Sequence, residues 1–148
     1  MNDTPLTPGT RPLVVVGVDG SDSSVTALRY AAAEARLRGA ALHAVGVYIY
    51  GDSLEQAEQA SRLLNAAVDT AREAGDPWPD EVTLTVREGA VPDVLHRAST
   101  DAVLLVVGAD AHGLLGRLIQ GSVLPKMTHH VHVPTVIVPT HWHPGGPR

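Results

Sequence analysis

The stretch LVVVGVDGSDSS, residues 13–24, decides how the rest of the chain is read. Leu13 to Val18 is a continuous apolar, β-branched run, the pattern of a strand buried on both faces, as in a parallel sheet covered by helices. Such a run does not alternate, so neither face meets water. Asp19-Gly20 then breaks it, and Ser21 or Asp22 is placed to cap a helix. Val25, Leu28, Ala32 and Ala35 fall on one face of that helix, and Gly39 stops it.

The same alternation continues outward. Leu42 to Val47 reads as a second strand. Leu54, Ala57, Ser61, Leu64, Val68 and Ala71 recur every three or four residues, a long helix closed by Gly75. Residues 81–87 (EVTLTVR) alternate with Val82, Leu84 and Val86 on one face, a half-exposed strand suited to a sheet edge. A short helix follows, with Pro92 in its first turn, where a missing N–H costs little. Residues 102–107 (AVLLVV) form the second fully apolar strand. A helix over about 123–130 with Ser122 as N-cap, which leaves Pro125 within the first turn, leads to a last strand over Val133 to Val138.

Strands alternating with helices predict a single α/β domain with an open, mostly parallel five-stranded sheet and helices on both faces. The two most apolar strands should be central neighbours. That gives the order 3-2-1-4-5, with a crevice at the carboxyl ends of strands 1 and 4, where the topology reverses. The polar, proline-rich residues 1–11 read as a flexible leader, 12–139 as the domain and 140–148 as a flexible tail. Trp78, between two prolines, reads as a loop packing at the sheet edge.

Composition narrows the functions. The chain of 148 residues is 44% hydrophobic with a formal charge of −5, which argues against a protein built to neutralise nucleic-acid phosphates. It has no cysteine, hence no disulfide or thiolate chemistry, which fits a reducing cytoplasm. No segment reaches the ~18 apolar residues that span a bilayer, so no membrane partner is expected. His129, His130 and His132, with His141 and His143, lack the i, i+4 spacing of a zinc helix, and no metal site is assigned.

Two loops reach the expected crevice. The first, Gly17 to Ser21, puts Asp19 at the end of a central strand, where it can accept hydrogen bonds from a ribose or hold a metal. Asp19 can equally tighten the turn or favour the following helix N-terminus. The second runs through VVGADAHGLLGRLIQGSV, residues 106–123. Its glycines let backbone N–H groups approach an anion, with a helix N-terminus behind Gly121. Neither GxxxxGK[ST] nor GxGxxG after the first strand is present, which excludes the P-loop and dinucleotide fingerprints.

Together, VVVGVDGSDSSVTALRYAAAEARLRGAALHAVGVY and STDAVLLVVGADAHGLLGRLIQGSVLPKMTHHVHVPTVIVP resemble the opening and closing blocks of the universal stress protein family, over about residues 12–139. The resemblance implies a Rossmann-like fold of the adenine nucleotide alpha hydrolase type and a stress-response role. It also implies the nucleotide-binding pattern G-x2-G-x9-G-[ST]. Gly108 matches its first glycine and Gly121-Ser122 its last pair, while Ala111 stands where the middle glycine would be. Asp110 adds a negative charge to that loop.

Carried over residue by residue, Asp19 takes the ribose and Val47 lines the adenine pocket. Gly17, Gly108, Ala111, Gly113, Gly121, Ser122 and Val123 complete the expected nucleotide site. The ligand implied is an adenine nucleotide, ATP with Mg, bound by a cytoplasmic sensor or regulator rather than a turnover enzyme. No nucleophile–base pair marks a catalytic residue, so any ATP hydrolysis should be slow and incidental. Relatives also imply a homodimer through the last strand, Val133 to Val138. Two rivals stand beside this reading: a nucleotide-free dimeric interaction module, and an ATP-using enzyme of a related hydrolase fold.

Overall fold

The computed structural model describes residues 11–49, 54–109 and 133–145. Eight elements follow in order: β1 (Leu13–Val18), α1 (Asp22–Leu37), β2 (Ala41–Tyr48), α2 (Leu54–Glu73), β3 (Val82–Glu88), α3 (Val91–Ala98), β4 (Leu104–Gly108) and β5 (Thr135–Val138). The strands form one sheet in the order β3-β2-β1-β4-β5. Every neighbouring pair is parallel, Val14 lying beside Leu42 on one side and Leu104 on the other. The expected order 3-2-1-4-5 is therefore the observed one. The expected helix over 123–130 lies outside the described residues.

Why β1 carries no polar residue is plain from its neighbours. Val14, Val16 and Val18 join Leu42, Ala44, Leu104, Val106 and Val138 in a core covered by α1 and α2. Val15 points the other way, into a second core with Val45, Leu105 and Val107 under the Val91, Val94 and Leu95 face of α3. Alternate side chains of the strand are taken out of water by these two layers, which stabilises by roughly 25 cal/mol per Å² of apolar surface. Ala27, Ala31, Ala32 and Ala35 give α1 a flat, small-residue face that lies close on the sheet.

Helix boundaries follow the local signals. Ser21 is the N-cap of α1, with extended φ −73° and ψ 163°, and its side chain accepts from the Ser24 N–H. Gly39 and Gly75 follow α1 and α2 with φ of 61° and 83°, conformations that cost a side chain more than a glycine. Pro92 occupies the first turn of α3.

Strand bounds shift from the sequence reading by one or two residues in every strand but β1: β2 is Ala41–Tyr48 rather than 42–47, β3 Val82–Glu88 rather than 81–87, β4 Leu104–Gly108 rather than 102–107, and β5 starts at Thr135 rather than Val133. Pro134 has no N–H for a ladder, yet its carbonyl accepts from the Leu105 N–H at 2.9 Å, so regular pairing starts at the next residue.

The segment after β5 makes contacts with α1. Thr26 Oγ1 donates to the Thr140 carbonyl at 2.9 Å, and the Trp142 ring meets Tyr30 edge-on at 5.2 Å between centroids. Trp142 also packs against the core beneath α1 and α2. An indole at a helix–sheet margin buries more apolar surface than the surrounding polar residues suggest. Trp78 packs on the same core from the loop before β3, with the Arg72 guanidinium 4.2 Å from its ring centroid.

Candidate functional site

Register places three of the expected site residues at one end of the sheet. Val18 of β1 pairs with Gly46, so Val47 stands one residue beyond the end of β1. β4 runs beside β1 and ends at Gly108, itself paired with Val138 of β5. Asp19 follows directly on β1. Asp19, Val47 and Gly108 thus come from the carboxyl ends of three adjacent strands, at the point where the strand order reverses. Gly17 lies lower, buried within β1 beside Val45, as a strand residue rather than a loop residue. Ala111, Gly113, Gly121, Ser122 and Val123 lie outside the described residues.

The first loop is built tightly. Gly20 has φ 87°, and a Cβ on it would meet the Leu63 side chain of α2 at 3.1 Å, so both backbone and space call for glycine. The turn presents the Asp19 carboxylate to the start of α1. Its Oδ1 accepts from the Ser21 N–H at 2.9 Å, the Ser24 hydroxyl at 2.9 Å and the Ser21 hydroxyl at 2.5 Å. The turn-and-helix role that the sequence allowed for Asp19 is therefore real. It coexists with a place at the crevice.

Gly108 has a structural reason of its own. A Cβ there would lie 2.5 Å from the Ser23 carbonyl oxygen and 2.6 Å from its Oγ. The first turn of α1 thus rests on the end of β4. Val47 is half-buried and packs on the α3-side core.

Ser23 and Ser24 are the site-forming residues that the sequence reading missed. Both are buried, and with Ser21 they make a chain of hydroxyls beside Asp19, Ser21 Oγ and Ser23 Oγ lying 3.2 Å apart. The signal was the Ser21-x-x-Ser24 spacing of a capping-box-like start. The arrangement supplies an anchored hydrogen-bond acceptor beside an apolar wall and a close-packed glycine. That combination suits a polyhydroxylated ring carrying a flat apolar group. Away from the site, His43 of β2 is buried on the α3 side and its Nε2 lies 2.7 Å from Thr85 Oγ1. Burial, with help from the Arg87 charge, pushes its pKa below the ordinary value.

A parallel sheet in this order, with an acid fixed at its switch point, defines an α/β protein of the nucleotide-fold class. The universal stress protein family model matches residues 12–139, and the chain belongs to that family. A universal stress protein of Mycobacterium bovis is 26% identical over 90% of this chain and 50% of its own length. One from Mycolicibacterium smegmatis is 30% identical over 84% of this chain and 47% of its own. The chain spans about half the length of these curated relatives. Among solved structures, a universal stress protein in complex with cAMP is 29% identical with a TM-score of 0.66, covering 88% of this chain and 98% of its own. The universal stress protein of Archaeoglobus fulgidus in complex with dAMP is 30% identical with a TM-score of 0.61, covering 85% and 96%.

Proposed function

We propose that this chain binds an adenine nucleotide at the carboxyl ends of β1, β2 and β4 and acts as a cytoplasmic sensor or regulator in a stress response. The observation that carries the reading is the anchored Asp19 carboxylate at the switch point, between Val47 and Gly108. Asp19 accepts a pentose hydroxyl, Val47 packs on adenine, and the glycine-rich loop after β4 supplies backbone N–H groups to phosphate. ATP with Mg is the full ligand of this reading.

The ligands named for the two neighbours support it chemically. Cyclic AMP keeps the 2′-hydroxyl and ties up the 3′-oxygen, whereas dAMP keeps the 3′-hydroxyl and lacks the 2′. Each ligand thus keeps one pentose hydroxyl, and both share adenine and a single phosphate. The chain's own assembly is read as a homodimer through the exposed side of β5, which ends the sheet.

Mass spectrometry of gently purified protein, followed by calorimetric titration with AMP and ATP, tests the reading. Adenine nucleotide should co-purify or bind. Asp19→Ala should weaken binding by about 1.5–3 kcal/mol, the range for a hydrogen bond to a charged group. Absence of binding by the wild-type protein would overturn it in favour of an interaction module of the same fold.

A further inference from the structure

The first loop holds more hydroxyl than a helix cap requires. Ser21 caps α1 unaided, its Oγ accepting from the Ser24 N–H at 3.2 Å. Ser24 is only 2% exposed, yet its hydroxyl lies 2.9 Å from Asp19 Oδ1 and 3.0 Å from the Ser21 carbonyl oxygen. The Asp19 N–H points back at the same hydroxyl at 3.4 Å.

Each serine hydroxyl carries one proton, so the network has a direction. An ionised carboxylate accepts only. The Ser21 O–H therefore goes to Asp19 Oδ1, which leaves the Ser21 lone pairs for the Ser24 N–H and the Ser23 O–H. The Ser24 O–H is divided between Oδ1 and the Ser21 carbonyl. With the Ser21 N–H, three donors converge on one carboxylate oxygen, all from the N-cap and first turn of α1. Two rotatable bonds separate that carboxylate from its own backbone, and these donors hold both before any ligand arrives. Ordering done in advance is not subtracted from affinity.

We propose that Ser24, with the Ser21 hydroxyl, is a positioning residue that aims the Asp19 carboxylate at a pentose hydroxyl and so sets preference for hydroxylated over deoxygenated adenine nucleotides. This rests on the reading of Asp19 as the pentose ligand. Ser24 itself, buried under the turn, acts through Asp19.

The test is calorimetric titration of wild type, Ser24→Ala and Ser24→Cys with AMP and with 2′,3′-dideoxyadenosine monophosphate, which offers Asp19 no hydroxyl. Wild type should prefer AMP. Ser24→Ala should lose affinity for AMP by about tenfold, the factor that ~1.4 kcal/mol carries, and keep its affinity for the dideoxy ligand. Equal losses for both ligands, or no loss, would overturn the positioning role and leave Ser24 as part of the turn. Wild type that binds both ligands equally would overturn the pentose role of Asp19 and this inference with it. A preference as large in Ser24→Ala as in wild type overturns the inference alone. Should Ser24→Ala not fold, Ser24→Cys keeps nearly the same volume with a weaker donor, and unchanged selectivity there overturns the proposal.

Discussion

Gly108 and Ser23 approach so closely that a Cβ on the glycine would lie 2.5 Å from the serine carbonyl oxygen. That contact seats the first turn of α1 on the end of β4, and it exists without any ligand. The sequence reading offered Gly108 as a phosphate-binding glycine or as a turn glycine. Packing supplies a requirement of its own at that position.

Gly108→Ala should therefore destabilise the ligand-free protein by about 1–3 kcal/mol, the usual cost of overpacking a close contact. The obstacle is backbone, which cannot rotate away as a side-chain tip would. Urea denaturation followed by circular dichroism reads the loss as a lower midpoint at unchanged slope. An unchanged midpoint would show that the turn yields freely.

His43 should make stability depend on pH. Burial, then the Arg87 charge, lowers its pKa in the folded state below the ordinary value of 6.5. The unfolded chain then binds the proton more readily, so stability is full above about pH 6.5 and falls as pH drops through that value towards the folded pKa. His43→Gln, which can still hydrogen-bond Thr85, should flatten this slope. Denaturation midpoints of the two proteins between about pH 5 and 8 decide it; parallel curves would remove His43 as the cause.

The outer edge of β5 should be a subunit seam. Ile137 is 47% exposed on the last strand of the sheet, and residues 133–138 carry no charge to repel a partner strand. A two-fold axis there would pair β5 with its own copy. Ile137→Lys should yield monomer or aggregate under light scattering at micromolar concentration. Wild-type protein that runs as a monomer would refute the seam.

By itself, the sequence determined the layered architecture. Unbroken apolar runs at 13–18 and 102–107 can be buried only between two helical layers, and strand–helix alternation then leaves few sheet orders to choose from. Asp19 at a strand end was legible for the same reason, since the order locates the switch point. The hydroxyl network was not. Serines at 21, 23 and 24 look like an ordinary helix start, and only the turn at Gly20 folds the Ser21 and Ser24 hydroxyls back onto Asp19, with Ser23 against Ser21. Gly108 could be read as a flexible loop glycine because its constraint comes from Ser23, 85 positions away in the chain. Trp142 resembled a loose tail residue until Tyr30 supplied a surface for it. Local patterns specify which faces must be buried. Which atoms then meet is set by how whole elements dock, and no short stretch of sequence contains that information.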